Sequence, residues 1–317
     1  VELQARAADA GVRLDRVLAR HLTDLSRSHI QALIREGRVE LRGRARPNRA
    51  RPIRAQKPGL RLRGGEQVRV EVRERPPLVA LPEPIPLTIL YEDDDLIALD
   101  KPAGQVVHLG AGITRGTVVN ALLYHFSQLA TRSGPLRPGI VHRLDKNSSG
   151  VLLVAKNDFA HWHLARQFQR RTIEKRYLAL VHGHLARAHD RICLPVARDL
   201  RRRTRMTTRR TRGRAAITDY RVLRPLAGFT LLEAILHTGR THQLRVHFSA
   251  LGHPVVGDTL YGAPRQLRLG NRTRPTLNRN FLHAECIRLQ HPRTGQALEI
   301  SAPLPPELEA FLRELVN

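Results

Sequence analysis

"GIVHRLDKNSSGVLLVAKND", from Gly139 to Asp158, is the stretch whose reading decides the fold. Val151–Ala155 is a short aliphatic run that reads as a strand. Asn147-Ser148-Ser149-Gly150 reads as a tight turn into it, and Ile140-Val141 as the end of a preceding strand. Between them His142-Arg143-Leu144-Asp145 breaks onto a loop. A carboxylate on a loop held between strands is well placed for catalysis. Taken by themselves, the same residues also fit a solvent-exposed Arg143–Asp145 or Lys146–Asp145 pair, worth under ~1 kcal/mol.

Outward from this core the pattern is one of short strands alternating with helices. Thr88–Tyr91 and Leu96–Leu99 flank Glu92-Asp93-Asp94-Asp95 as a hairpin. Helices are expected near Val118–Phe126, Phe159–Arg170 and His242–Leu251, and strands near Lys175–Val181, Tyr220–Leu223 and Thr230–Ile235. Upstream, Leu14, Val17, Leu18 and Leu22 recur at three and four residues and make one apolar helix face. Ser26 stands as the N-cap of a second helix carrying Ile30, Leu33 and Ile34, which Gly37 ends. Val39–Leu41 and Val68–Val72 alternate as strands around an Arg/Pro/Gly-rich stretch from Arg42 to Gly65. "ERPPLVALPEPIP", Glu74–Pro86, holds five prolines and reads as an extended linker. The expected fold class is therefore α+β: a small domain over residues 11–73, a linker over 74–86, and a larger domain over 87–317 built on a mixed, mainly antiparallel sheet with flanking helices.

The composition points to a polyanionic partner. Of the 317 residues, 54 are Lys or Arg against 28 Asp or Glu, a formal charge of +26. The first 75 residues alone carry a surplus of ten positive charges, so the small domain is the more densely basic of the two. The densest run is "RDLRRRTRMTTRRTRGR", Arg198–Arg214, which fits a solvated loop or an arm that tracks phosphates. With 41% apolar residues the chain is not a disordered one, and no apolar run reaches the roughly 18 residues of a membrane span. A cytoplasmic monomer is the default expectation. Cys193 and Cys286 have no metal-type spacing and read as ordinary buried thiols. His237, His242, His247 and His253 crowd near Arg245 but without acidic or thiolate companions, so no metal site is expected there.

Two strings resemble known families. "SRSHIQALIREGRVELRG", from Ser26, is similar to the S4 RNA-binding domain, and the resemblance implies RNA contacts from Ser26, Arg27 and Arg35. "HRLDKNSSG", from His142, resembles the H-R-L-D-x-x-T/S-S-G motif of the RluA-type pseudouridine synthases, with Ser148 in place of the commoner threonine. "DKPAGQVVHLGAGITRGTVVNAL" from Asp100, "EKRYLALV" from Glu174 and "TGRTHQLRVHFSALGHPVVGDTLYG" from Thr238 agree with that family in order and spacing. The phrase "VVHLGAG" is most similar to the RluD-type large-subunit enzymes, although Leu109 stands where proline is usual. Four of the chain's five lysines, Lys101, Lys146, Lys156 and Lys175, fall inside these strings or the Gly139–Asp158 stretch that holds the first motif, as expected if those positions require a compact ammonium.

The resemblance implies isomerisation of uridine to pseudouridine in structured RNA, large-subunit ribosomal RNA first. The reaction breaks the bond from ribose C1′ to base N1 and rejoins the turned base through C5. It has no redox change and no external donor, so no cofactor is implied. By resemblance Asp145 is the carboxylate, as nucleophile or as the base that triggers sugar elimination, and Arg245 is its basic partner. Tyr177 matches the tyrosine that stacks on the target base and accepts the C5 proton. Arg143 is expected to fill the gap on the helix side or to contact a phosphate once the uridine is extruded, because the target atom is unreachable in a stacked strand, and His142 is a further expected RNA contact. Arg240, His242 and Gln243 are further expected contacts, Arg240 and Gln243 holding the loop that bears Asp145. The same chemistry on a tRNA, and a noncatalytic ribosome-assembly factor, are the competing readings.

Overall fold

The computed structural model describes residues 1–43, 53–72, 78–110, 112–202, 204–209, 213–269 and 272–315. Part of the Arg42–Gly65 stretch, the start of the proline-rich segment and part of the Arg198–Arg214 run lie outside the described residues. The chain divides into two compact units, Val1–Pro77 and Leu78–Asn317.

In the first unit the helices α1 (Leu14–His21) and α2 (Arg27–Arg35) cover a four-stranded sheet. Its strands are β1 (Glu2–Gln4), β2 (Val39–Arg42), β3 (Ile53–Arg54) and β4 (Gln67–Val70), in the order β1-β4-β2-β3. β1 lies before the expected start at residue 11; three residues are too few to show a period in sequence. Leu14, Val17, Leu18, Ile30, Leu33 and Ile34 meet Val39, Val68 and Val70 in the core. The Ser26 hydroxyl accepts the His29 amide to start α2. Gly37, at φ +69°, ends it: its N–H reaches the Ile34 carbonyl while the Arg38 N–H reaches that of Leu33, a Schellman closure.

The second unit is built on one nine-stranded sheet. In chain order its strands are β5 (Ile89–Glu92), β6 (Leu96–Lys101), β7 (Ser149–Ala155), β8 (Glu174–His182) and β9 (His189–Ile192), followed, after a small β-ladder of β10 (Ala197–Arg198) and β11 (Met206–Thr207), by β12 (Thr218–Leu226) and β13 (Phe229–Leu236). A second ladder, β14 (Gln266–Leu269) with β15 (Arg272–Pro275), precedes β16 (Leu282–Gln290) and β17 (Ala297–Ser301). The order is β5-β6-β7-β16-β8-β13-β12-β9, with β17 also paired to β16. Every pairing in it is antiparallel except β7 with β16.

Alternation along the strands sorts the helices onto two faces. Ile97, Leu99, Leu152, Val154, Ala179 and Val181 pack on one face with α3 (Val118–His125) and α5 (Gln243–Ala250). Leu96, Ala98, Val151 and Leu153 pack on the other with α4 (Asp158–Arg170), and Leu180 packs there with α6 (Pro306–Glu314). Buried on both faces, β7 has no exposed residue, which is why it reads as an unbroken apolar run. At its start Gly150 has φ +111°, and a Cβ there would collide with the Ala284 carbonyl of β16. Only glycine lets the loop after Asp145 enter the sheet so close to a parallel neighbour.

Four sequence expectations need correction. Ile140 makes only an isolated bridge to Val154, so Ile140-Val141 is not a strand end. The turn spans Asp145–Ser148, two residues earlier than Asn147–Gly150, because the Ser148 amide closes onto the Asp145 carbonyl and Ser149 is already in β7. The end of the proline-rich segment is docked on α3: Asn120 donates to the Leu81 carbonyl, the Glu83 amide donates back to the Asn120 carbonyl, and Ala80 is buried. Cys193, expected to be buried, is exposed, whereas Cys286 is buried on β16. Among the described residues no helix is long and apolar enough to cross a membrane.

Candidate active site

The loop before β7, the start of β8 and the β13–α5 connection converge on one cavity of about 470 Å³. Asp145, Tyr177 and Arg245 line it together, as do Arg143, His142, Arg240, His242 and Gln243. Leu144, Leu236 and Leu282 supply apolar wall, and Phe168 closes one side.

Asp145 and Arg245 are 100 residues apart and meet through Nη1 and Oδ2 at 3.1 Å. The rest of the guanidinium is taken by Asp258, to which Nε donates at 2.6 Å and Nη2 at 2.9 Å. Asp258 is the functional residue that sequence reading passed over. It lies inside the string quoted from Thr238, but nothing in its spacing says that it faces Arg245. Gly257 sets its position: at φ +81° it passes the Arg279 carbonyl where a Cβ would collide.

This arrangement divides the arginine's five donors. Asp258 is almost fully buried and fixes the planar fork from one side, so Arg245 presents a single edge to Asp145. The two carboxylates raise the Arg245 guanidinium above its ordinary range against the opposing effect of its burial. Tyr261 buttresses it, its ring centroid 5.0 Å from the guanidinium carbon and its hydroxyl 2.9 Å from Nδ1 of His242. Asp145 Oδ1 has no protein partner among the described residues, so one carboxylate oxygen is held and the other is available to a reactant.

Tyr177 is 8% exposed on β8. Burial, and then the charge of Asp145, push its phenol well above the usual range, so it stays protonated at neutral pH. The Ser148 hydroxyl lines the same cavity, buried and without a hydrogen-bond partner among the described residues. Behind the loop, the Lys101 ammonium is 1% exposed and donates to the carbonyls of Pro102, Gln105 and Lys146 at 2.6, 3.0 and 3.4 Å. It thereby pins the backbone immediately after Asp145, a task that needs donors radiating from a point and not a planar fork.

Other expected contacts have different roles. Gln243 bonds the Thr238 hydroxyl, the Ile217 carbonyl, the Thr218 hydroxyl and the Arg240 amide, and Arg240 Nε donates to the Ala215 carbonyl. Both therefore brace the 215–218 segment and the β13–α5 connection, and not the Asp145 loop. His242 is the αL residue that starts α5, at φ +56°. His247 is spent on the Thr218 hydroxyl and the Leu194 carbonyl, His253 on the His182 carbonyl and His237 on Asp219. Arg143 is exposed at the cavity and makes no ion pair among the described residues. In the first unit Arg35 is exposed, Ser26 is the N-cap, and Arg27 pairs with the buried Asp15 at 2.9 Å while its side chain stays half exposed.

His142 is a wall and not an open ligand. Its Nε2 accepts the Leu153 amide at 2.8 Å, and its ring stacks on Phe168 at 4.8 Å. Burial, with a smaller push from Lys175, brings its pKa from 6.5 down to about 3. The unfolded chain therefore takes up this proton before the folded one does. The stability supplied by the neutral ring is complete above pH 6.5 and is lost as the pH falls toward 3. Urea unfolding of the native chain should lose up to ~1.4 kcal/mol per pH unit in that window through this ring. In His142→Gln, whose amide oxygen accepts the same N–H without titrating, the slope should be shallower; equal slopes would contradict the assignment.

Comparison with known proteins bears on the family. The model of the RNA pseudouridylate synthase family matches residues 95–250, which include the Asp145 loop, Tyr177 and Arg245. An uncharacterized RNA pseudouridine synthase of Bacillus subtilis is 38% identical over 315 residues, 99% of this chain and 98% of its own. The ribosomal large subunit pseudouridine synthase D of Nitrosomonas europaea is 42% identical over 318 residues, 100% of this chain and 88% of its own. Among solved structures, human RNA pseudouridylate synthase domain containing 1 is similar at a TM-score of 0.55 and 31% identity, covering 71% of this chain and 87% of that one.

Proposed function

Since the chain belongs to the RNA pseudouridine synthase family, we propose that it isomerises uridines of large-subunit ribosomal RNA, with Asp145 as the reacting carboxylate. The observation that carries this reading is the divided arginine: Arg245 is clamped by Asp258 and offers one donor to Asp145, leaving the second oxygen of Asp145 to the cavity.

A uridine turned out of its strand would enter with its ribose against Asp145. Attack at C1′, or removal of the C2′ proton, each asks the same free oxygen to reach the sugar. The C1′–N1 bond breaks with its electrons on the base, the base turns within the cavity, and C5 bonds to C1′, either displacing the Asp145 oxygen or with the C2′ proton returned to the sugar; the C5 proton then leaves and N1 gains one. Leu144, Leu236 and Leu282 retain the detached base, and the Tyr177 ring stacks on it. A phenol so raised is protonated at rest, so Tyr177 can accept the C5 proton only by passing on its own. Ser148 has an uncommitted hydroxyl to offer the uracil carbonyl or the ribose. No step calls for a cofactor.

The first unit fits an S4-type RNA-binding module in its helix pair, its sheet and its ten surplus positive charges, and in this reading it supplies salt-sensitive affinity. Names of the relatives favour ribosomal RNA over other substrates, and a cytoplasmic location is proposed as the one that goes with that substrate. Tritium release from C5-labelled uridine decides between the substrates. Unmodified large-subunit rRNA should release label at micromolar RNA, and unmodified bulk tRNA should release none; release from tRNA alone would move the assignment to tRNA.

A further inference from the structure

The outer face of α4 carries a feature that the chemistry does not use. Its thirteen residues bury Ala160 and Leu164 against the sheet and turn Phe159, Trp162, His163, Arg166, Gln169 and Arg170 outward. Trp162, the only tryptophan in the chain, is 40% exposed, and Phe159, one turn away, is 46% exposed. The His163 ring lies 4.4 Å from that of Phe159 and 4.6 Å from that of Trp162, so the exposed aromatics form one contiguous patch, the kind that marks an interaction surface. Trp162 and Phe159 are each flanked by a guanidinium: Arg166 lies over the Trp162 ring at 4.4 Å and Arg293 over Phe159 at 4.9 Å. Arg293 is paired with Asp95, but Arg166 and Arg170 have no carboxylate partner among the described residues.

The helix ends at the active cavity. Gln169 and Arg171 line it, and Phe168 forms its side wall. The stripe of Trp162, Arg166 and Arg170 therefore leads to the place where the uridine enters.

We infer that the exposed face of α4 is a stacking and phosphate track for the RNA strand beside the extruded uridine, with Trp162 as its base platform. The inference rests on the RNA substrate proposed above. Aromatic rings take any base by its π-face, and unpaired guanidiniums take the phosphates between bases, the combination by which proteins hold a single strand. From Trp162 to Gln169 is about 10 Å along the helix axis. That is about three nucleotides of stacked strand at roughly 3.4 Å each, so the platform receives a base near the target and not the target itself.

Because the chain has one tryptophan, its fluorescence reports this face alone. The full chain carrying Asp145→Asn, to stop turnover, is titrated with unmodified large-subunit rRNA transcript, and emission is corrected for RNA absorbance with a free-tryptophan control. Quenching should saturate with binding measured by filter retention. Trp162→Ala in the otherwise native chain should weaken RNA binding roughly tenfold and raise KM in step, while Trp162→Tyr restores both. The single-turnover rate at saturating RNA should stay within twofold of native. If the native chain modifies the transcript but emission does not change and Trp162→Ala binds as tightly, the track is wrong and the active-site reading stands. If the native chain neither binds nor modifies the transcript, both fail. Emission that shifts with protein concentration in the absence of RNA would assign the face to a second copy of the chain and overturn the inference.

Discussion

Asp145→Asn should reduce pseudouridine formation by more than about a thousandfold while RNA binding stays within a few fold of native. The amide is nearly isosteric, and its oxygen still accepts from Arg245 Nη1, so the loop that begins there keeps its closure by the Ser148 amide. What disappears is the negative charge on the oxygen that faces the cavity. An amide neither attacks C1′ nor takes the C2′ proton, so both routes stop together. Affinity should survive, because the basic residues proposed to hold RNA lie elsewhere: Arg35 in the first unit, Arg143 at the cavity mouth and the α4 stripe. Tritium release reports the chemistry and filter retention the binding. Turnover within tenfold of native would remove Asp145 from the reaction.

Asp258→Ala should cost about 3–5 kcal/mol of stability and at least a hundredfold in turnover, with little change in KM. Asp258 is almost completely buried and takes two of the three guanidinium hydrogen bonds that Arg245 makes. Its removal leaves a buried cation with one single-point contact and an empty place beside it. The freed fork then has every reason to turn onto Asp145 and hold both of its oxygens, which would withdraw the oxygen that the reaction needs. A purely structural role would lower stability and leave the single-turnover rate of the folded fraction unchanged. Urea unfolding measures the first effect and single-turnover kinetics at saturating RNA the second. Asp258→Asn, which keeps one acceptor, should fall between the two. A variant that is destabilised but fully active when folded would confine Asp258 to packing.

The parts of this site that are legible in sequence are those written in contiguous strings. The Asp145 loop runs through its turn straight into the aliphatic β7, and its pattern can be read without knowing what crosses it. Arg245 is similarly marked by the α5 string. Asp258 is not, because its role comes from a fold-back of thirteen residues that places it on the far side of the guanidinium, a relation with no period in the chain.

The fold shows the same division. The helices α3, α4 and α5 lie within a residue or two of the ends that the sequence pattern predicts. Strand β16 escapes such reading because His283 and Cys286 stand at its buried positions. His283 can be there because Nδ1 is within 2.8 Å of the Ser149 hydroxyl and Nε2 within 3.2 Å of the Ala302 carbonyl, partners that exist only once β7 and the C-terminal segment have packed. Likewise, the last residues of the proline-rich segment read as a linker because proline forbids regular pairing, yet their free carbonyls and amides find Asn120 on α3. In each case the missing information is tertiary, a hydrogen-bond partner supplied from far away in the sequence.

The central claim is that this cavity, through Asp145, makes pseudouridine in ribosomal RNA. Its most direct test is a mass-spectrometric pseudouridine map, after carbodiimide labelling, of unmodified large-subunit rRNA incubated in parallel with the native chain and with Asp145→Asn. Labelled uridines that appear with the native chain and are absent with the variant are the expected result. A map identical for the two proteins, whether both labelled or both blank, would contradict it.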